Sequence, residues 1–186
     1  MDLTTARLRI DDLATADADA LFAYRADPTV ARFQGWRPAR REDASDFIAR
    51  QLATPPDAPG WRQRAIRLHD DRRLIGDIGV NLPADADESV EFGISLAPAV
   101  HGRGYAAEAM HALLGWVFET AGRRRVHASV DPRNTASVAL LRRLGMRQEA
   151  HFRESLHLHG EWVDDVVFAL LAREWQTPRR AGAEST

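Results

Sequence analysis

Two apolar periodicities alternate along the chain. In several short stretches every second residue is apolar, as in a strand with one buried face, whereas longer stretches repeat every three or four residues, as on one face of a helix. We expect a single α/β domain over residues 1–175 and a fraying tail at 176–186, because neither a linker nor an internal repeat divides the chain. In chain order, the pattern predicts a strand at 7–10, helices at 16–26 and around 44–52, strands at 65–68, 78–82 and 91–96, a helix from 106, a strand at 125–130, a helix at 135–144 and a hairpin over 152–171 that turns at His159-Gly160.

The most informative stretch joins the strand at 91–96 to the helix that follows it. Pro98 ends regular pairing, and Gly102 and Gly104 allow backbone conformations that a Cβ would obstruct. A helix N-terminus carries unpaired N–H groups and a partial positive charge, and Arg103 adds a cation in the same turn. The turn therefore suits a phosphate or a diphosphate. An ordinary strand-to-helix turn that needs two glycines for its geometry alone is the alternative.

Two common nucleotide-binding motifs do not fit this turn. A dinucleotide fingerprint needs a third glycine where this chain has Ala107, and a P-loop needs a lysine, which the chain lacks altogether. A nucleotide-binding α/β protein stays open as one alternative, and it predicts affinity for NAD or ATP over CoA.

The turn resembles instead the acyl-CoA loop of the GNAT acetyltransferase superfamily, written Q/R-x-x-G-x-G/A. His101, Gly104 and Ala106 fall on its three defined positions, with histidine in place of glutamine or arginine. The longer run at 102–109 is similar to the RimJ/RimL type, the ribosomal-protein N-terminal acetyltransferases and their relatives. The order of predicted elements is also the GNAT order.

A second motif, after the strand at 125–130, carries the same resemblance. Asn134-Thr135-Ala136-Ser137, followed by Leu144-Gly145-Met146, looks like the family's N-x-x-S and K-L-G-F signature. Asn134 is also a good helix N-cap, and both roles can hold together because a residue at a strand–helix junction also faces the cleft.

The resemblance implies the GNAT fold: a central, mixed, mostly antiparallel sheet of about seven strands, splayed at a parallel pair and flanked by about four helices. It also implies acetyl transfer from acetyl-CoA to a primary amine, either a protein N-terminus or a small molecule. In the family the first two helices and their connection line the acceptor site, so Tyr24 and Trp36 become substrate contacts, although a tryptophan in a loop is often a hydrophobic plug. The cofactor-binding residues implied by the resemblance are Ile94, Ser95, Leu96, His101, Gly102, Arg103, Gly104, Tyr105, Ala106, Asn134 and Ser137.

The resemblance leaves few side chains for catalysis. Many family members protonate the leaving thiolate with a tyrosine at a position that is Leu141 here, so Ser137 becomes the predicted proton donor. Glu91 is the predicted base, acting directly or through a water, and a salt bridge to an arginine is its alternative role. The missing tyrosine keeps a non-catalytic acyl-CoA-binding module open as an alternative function.

Composition narrows the range of partners. A net charge of −2 argues against a general nucleic-acid binder, and the absence of cysteine excludes disulfides, thiolate metal sites and a cysteine nucleophile. His157 and His159 would place two imidazoles on one strand face, but without a third ligand we assign no metal. With no signal peptide or apolar span in the sequence, we expect a cytoplasmic protein whose partners are acetyl-CoA and an amine acceptor, with no nucleic acid and no membrane. A homodimer is left open.

Overall fold

A mixed sheet of eight strands runs through the computed structural model, which describes residues 1–55, 58–85 and 89–175. The strand order is β1-β2-β3-β4-β5-β6-β8-β7, and the β5–β6 pair is parallel while the other pairs are antiparallel. The fold class is as expected, with one strand more than predicted. The strands are β1 (Leu3–Thr4), β2 (Leu8–Asp12), β3 (Gly60–Leu68), β4 (Leu74–Leu82), β5 (Val90–Leu96), β6 (Arg125–Val130), β7 (Arg147–Leu158) and β8 (Glu161–Leu171).

Five α-helices accompany the sheet in the described residues, one more than predicted. The extra helix is α2, which forms because Asp27-Pro28, predicted only to stop the preceding helix, also starts a new one. Asp27 Oδ1 accepts a hydrogen bond from Thr29 N at 2.8 Å, and proline is favourable in the first turn of a helix. The helices are α1 (Ala18–Arg25), α2 (Pro28–Ala31), α3 (Arg41–Ala53), α4 (Tyr105–Gly115) and α5 (Thr135–Arg143), and α4 continues as a π-helical segment over Trp116–Thr120.

The helices pack on opposite faces of the sheet. The larger hydrophobic cluster joins α4 and α5 to one face, with Met110, Leu113 and Leu141 buried against strand residues such as Phe92. A smaller cluster joins α1 and α3 to the other face of β3 and β4. The two faces therefore have separate cores, and the alternating apolar strand positions divide between them.

The parallel contact in the middle of the sheet is very short. β5 and β6 pair only at Val90 with Val126 and at Glu91 with His127, whereas β5 and β4 remain paired over six residues. The two parallel strands thus separate after Glu91, which is the splay that the resemblance implies. The register between β4 and β5 has no shift, so β5 stays regularly paired along its β4 edge.

The C-terminal hairpin turns at His159-Gly160, as predicted, but β7 begins at Arg147, five residues before the expected start at Phe152. His159 lies in the turn with φ of 51°, so the expectation of two histidines on one strand face is wrong. Its Nε2 contacts the carbonyl oxygen of Ala31 at 3.0 Å, which joins the hairpin turn to α2. The predicted tail at 176–186 lies outside the described residues.

Candidate active site

A cavity of about 690 Å³ opens where β5 and β6 diverge. Its walls come from the end of β5, the turn that precedes α4, the first turns of α5, and the segment around α2. Ten of the eleven predicted cofactor-binding residues line it, and only Arg103 does not. The ten are Ile94, Ser95, Leu96, His101, Gly102, Gly104, Tyr105, Ala106, Asn134 and Ser137.

The β5 wall consists of residues that have lost their neighbouring strand. After Glu91 no residue of β5 pairs with β6, so the backbone groups of Ile94–Leu96 on that edge have no strand partner. The hydroxyl of Ser95 is buried and has no hydrogen-bond partner. Such an edge can accept hydrogen bonds from, and donate them to, a ligand lying in the gap.

The turn before α4 takes the backbone conformation that its glycines allow. Gly102 and Gly104 have φ of +74° and +80°, a region that L side chains rarely adopt, and Gly104 directly precedes the first residue of α4. His101 closes the turn onto β5, because its Nε2 lies 2.9 Å from the carbonyl oxygen of Leu96. The first-turn N–H groups of α4 therefore meet the cavity at a fixed position.

The α5 wall begins with the predicted cap. Asn134 Oδ1 accepts a hydrogen bond from the backbone N–H of Ser137 at 3.1 Å, so the N-cap role holds. The hydroxyl of half-buried Ser137 has no hydrogen-bond partner among the described residues and lines the same cavity. Asn134 thus orients this end of the helix, while the serine hydroxyl is available to a ligand.

The fourth wall was not foreseen in the sequence. Thr29, Val30, Arg32 and Phe33, from α2 and the residues after it, face the cavity. In the sequence, only Asp27-Pro28 indicates this wall, because an aspartate followed by proline is typical of the start of a helix.

The charge of the lining is one-sided. Arg32, Arg133 and Arg143 line the cavity, and no carboxylate does so among the residues that the structure describes. Arg133 is paired with Asp131 at 2.6 Å, which reduces its contribution. Together with the N-terminus of α4, these cations make the cavity suitable for an anionic ligand such as the diphosphate of CoA.

Glu91 lies outside this lining, at the N-terminal end of β5, where the parallel pairing with β6 still holds. Its ionisable partner is a histidine, not one of the arginines, because Glu91 Oε2 lies 3.8 Å from His127 Nε2. Burial lowers the pKa of His127 below its ordinary value, although the Glu91 carboxylate opposes this effect. Near neutral pH the His127 imidazole of this pair is therefore mainly neutral.

Comparison with known proteins decides the family. The family described as Acetyltransferase (GNAT) domain matches residues 7–147. The chain belongs to the GNAT acetyltransferase family. It is 29% identical over 175 residues to the uncharacterized N-acetyltransferase YnaD of Bacillus subtilis, covering 94% of this chain and 99% of that protein. Membership in this family decides against the nucleotide-binding alternative.

The resemblance to ribosomal-protein acetyltransferases is confirmed at modest identity. Over 112 residues, or 60% of this chain and 57% of its relative, the GNAT chain is 30% identical to the [ribosomal protein uS5]-alanine N-acetyltransferase of Escherichia coli. Among solved structures, a GNAT-family acetyltransferase from Bacillus anthracis superposes with a TM-score of 0.83 at 26% identity, over 94% of this chain and all of that one.

The two predicted acceptor-site residues of this GNAT chain occupy packed positions. Trp36 stacks on Phe47 with ring centroids 4.5 Å apart, and both partly buried rings pack against the smaller hydrophobic cluster. Tyr24 is only 3% exposed, and its hydroxyl donates to Asp77 Oδ1 at 2.5 Å. Burial, and then the Asp77 carboxylate, raise the pKa of Tyr24 well above its ordinary value. Neither residue lines the cavity.

A buried polar network around Asp77 was missed in the sequence. Asp77 is fully buried and accepts from Tyr24, from Arg25 through an ion pair, and from Gln63, which ties α1 and β3 to β4. Asp77 pairs with Ser95 in the sheet register, on the strand next to the β5 wall of the cavity. A single aspartate within an apolar run was the available signal, and it pointed to a buried partner.

Within residues 1–55, 58–85 and 89–175, no three metal-ligating side chains of His, Cys, Asp or Glu come together. Across the same residues no helix combines the length and the apolar composition needed to cross a membrane.

Proposed function

We propose that this GNAT acetyltransferase transfers the acetyl group of acetyl-CoA to a primary amine. The observation that carries the proposal is the cavity at the splay of β5 and β6, which combines an open strand edge, a glycine turn at a helix N-terminus and an all-cationic set of charged lining residues. An acyl-CoA needs these three elements together, because its long amide-bearing arm is joined to a negatively charged diphosphate.

Each wall has a defined task in this proposal. The turn at His101–Gly104 and the first turn of α4 bind the diphosphate, and Tyr105 and Ala106 belong to that turn. The open edge of Ile94–Leu96 binds the amide groups of the pantetheine arm and polarises the thioester carbonyl. Asn134 holds the start of α5, and Ser137 lies beside the sulfur.

Transfer proceeds by attack of the neutral amine nitrogen on the thioester carbonyl carbon. A C–N bond forms, the C–S bond breaks, and the electron pair of that bond leaves with the sulfur. The thiolate receives a proton from the Ser137 hydroxyl, which has no competing partner among the described residues, and in the same step the serine oxygen takes up a proton from solvent water. Glu91 takes the proton released by the amine through a bridging water, since it lies outside the cavity lining.

The acceptor is a primary amine on a protein N-terminus or on a small molecule. The name of the Escherichia coli relative, an alanine N-acetyltransferase of a ribosomal protein, supports including N-terminal peptides among the acceptors tested. Tyr24 and Trp36 remain part of this proposal as residues that shape the acceptor side through the helices that they anchor. A cytoplasmic location belongs to the same proposal, and the lack of cysteine is compatible with it.

The test is a calorimetric titration with acetyl-CoA, followed by thiol release against a panel of amino acids, polyamines, aminoglycosides and peptides with free N-termini. Binding with thiol release on one amine class supports the proposal and identifies the acceptor. Binding without release on any acceptor favours a non-catalytic acyl-CoA-binding module, which Leu141, in the place of the family tyrosine, would permit. Absence of binding refutes the proposal.

The role of Glu91 has its own test. In Glu91→Gln the amide cannot accept a proton at neutral pH, so kcat should fall by about 10²-fold or more while the Kd for acetyl-CoA is unchanged. An unchanged kcat would reduce Glu91 to a partner of His127.

A further inference from the structure

Arg7, which lies between β1 and β2, reaches across to the turn before α4. Its Nη1 donates to the carbonyl oxygen of Arg103 at 3.0 Å, and its Nε donates to Glu108 Oε2 at 2.7 Å. Its guanidinium lies 4.6 Å from the centre of the Tyr105 ring. One side chain thus contacts three consecutive parts of the diphosphate-binding element: the turn, the first helical residue and the first helical turn.

Glu108 anchors this side chain from the helix side. Its carboxylate also accepts from the backbone N–H of Arg7 at 2.9 Å and from the Thr5 hydroxyl at 2.5 Å. Burial opposes the charged form, but the hydrogen bonds from Thr5 and Arg7 outweigh it, so the pKa of Glu108 lies below its ordinary value. The guanidinium is therefore held in one position although it is half exposed.

The contact with Arg103 fixes the orientation of one particular peptide. The C=O of Arg103 and the N–H of Gly104 belong to the same trans peptide unit, so they point in opposite directions. With the carbonyl aimed at Arg7, the Gly104 N–H points away from Arg7, and it has no hydrogen-bond partner in the described chain. Arg7 Nη2 covers the side of Gly104 where a Cβ would stand, at 3.5 Å.

This peptide needs an external restraint. Its rotation changes ψ of Arg103 and φ of Gly104, and Gly104, with φ of +80°, crosses between backbone regions at little steric cost. If the peptide rotated, the carbonyl dipole would face the cavity where an anion is to bind. A hydrogen bond from the Arg7 guanidinium, which Glu108 itself holds in place, removes that freedom of rotation.

We propose that Arg7 is a positioning residue for cosubstrate binding, one that holds the Arg103–Gly104 peptide with its N–H directed at the diphosphate of acetyl-CoA. The inference rests on the proposed function of the cavity. Arg7 acts through the backbone of the turn and is not itself a phosphate ligand in this proposal.

The first experiment compares two cosubstrates in Arg7→Ala: acetyl-CoA and S-acetylpantetheine, which has the thioester arm but no diphosphate. Losing one donor to a charged group should raise the Kd for acetyl-CoA about tenfold or more. The kcat/KM for S-acetylpantetheine should equal that of the wild type. An equal loss with both cosubstrates would show a general structural defect and overturn the proposal.

Glu108→Ala separates positioning from simple charge. If Arg7 must be anchored, the Kd for acetyl-CoA rises, even though the substitution removes a negative charge near the anion site. If only the local charge matters, the Kd falls, and the proposal is wrong. This variant is decisive because the two explanations predict changes of opposite sign in the Kd for acetyl-CoA.

Arg9→Ala is the matched control, because it removes the same charge two residues away while its carboxylate partners are Asp2 and Asp11, not Glu108. Its Kd for acetyl-CoA should match the wild type, and a rise equal to that of Arg7→Ala would overturn the inference. If the wild type binds acetyl-CoA and Arg7→Ala binds equally well, only this inference fails. If the wild type does not bind at all, the proposed function fails with it.

Discussion

Asn134 Oδ1 and the backbone N–H of Ser137 lie 3.1 Å apart in a hydrogen bond that begins α5, while the hydroxyl of the same serine keeps no partner in the described chain. One residue thus supplies its main chain to the cap and its side chain to the cavity. The structural and the chemical roles of this motif can therefore be separated by substitution.

Removal of the Ser137 hydroxyl tests the chemical role. Ser137→Ala should lower kcat by about 10²-fold, since the leaving thiolate loses its proton donor, and should leave the Kd for acetyl-CoA nearly unchanged. The cap is preserved because it uses the backbone N–H. Steady-state thiol release measures the effect, with Ser45→Ala on α3, remote from the cavity, as control. A variant with wild-type kcat would leave Ser137 with only its capping role.

The structural role is tested at Asn134. Asn134→Ala should lower the free energy of unfolding by about 1 kcal/mol through loss of the cap, and Asn134→Asp should restore it because aspartate caps equally well. The aspartate adds a negative charge to a cavity that no carboxylate of the described residues lines, so the Kd of this variant for acetyl-CoA should rise. Urea denaturation and calorimetry give the two quantities. Equal affinity in Asn134→Asp and the wild type would contradict an anion site here.

The glycine turn offers a matched pair of substitutions. Gly104 and Gly122 have φ of +80° and +63°, and a Cβ at either position meets no close backbone atom. Alanine at each should cost roughly 1 kcal/mol of stability by forcing a left-handed conformation on an L side chain. Only Gly104→Ala should also weaken acetyl-CoA binding, and Gly104→Glu should abolish it. Undiminished CoA affinity in a folded Gly104→Glu protein would refute the assignment of the turn.

The buried ion pair between Arg25 and Asp77 predicts a large effect on stability. Asp77→Ala would leave the Arg25 guanidinium buried without its counter-charge, so the free energy of unfolding should fall by about 3 kcal/mol or more. The exposed pair of Arg41 and Asp19 is the control, and Asp19→Ala should unfold at nearly the same denaturant concentration as the wild type. Similar losses in the two variants would show that burial does not set the strength of these pairs.

His127 predicts a pH dependence of stability. Because burial lowers its pKa in the folded state below the ordinary value of 6.5, the unfolded chain takes up a proton that the folded chain resists. The free energy of unfolding should therefore fall as the pH drops from about 7.5 to about 5.5. His127→Gln removes this group, so its decline over the same interval should be shallower. Parallel curves for the two proteins would exclude His127 as the source.

Local apolar periodicity predicted the strands and helices that are long enough to show it. The strand at 125–130 has the predicted bounds, and α5 ends one residue before its predicted end, because alternation and helical spacing are readable over six to ten residues. β1 and α2 were missed, since two and four residues are too short to show a period. The start of β7 was missed because its first residues are exposed and carry no apolar alternation.

Within the site, sequence motifs predicted residues of the cavity walls. They did not predict contacts between residues that are far apart in the sequence. The residues at 94–96, 101–102, 104–106 and 134–137 line one cavity because each motif shapes its own turn. The carbonyl of Arg103 faces Arg7, 96 residues away, and Tyr24 meets Asp77 over 53 residues. Such pairs depend on how the sheet is assembled, and no local pattern encodes them.

The brief contact between β5 and β6 also bears on the integrity of the whole molecule. Five strands on one side and three on the other are linked by backbone pairing at only two positions, so continuity between these blocks depends on the hydrophobic cluster that spans both. A molecule seated in the gap would take the place of a missing neighbour for both strands. If the proposed function is right, acetyl-CoA in the gap would add a second connection between the two blocks, beside the hydrophobic cluster.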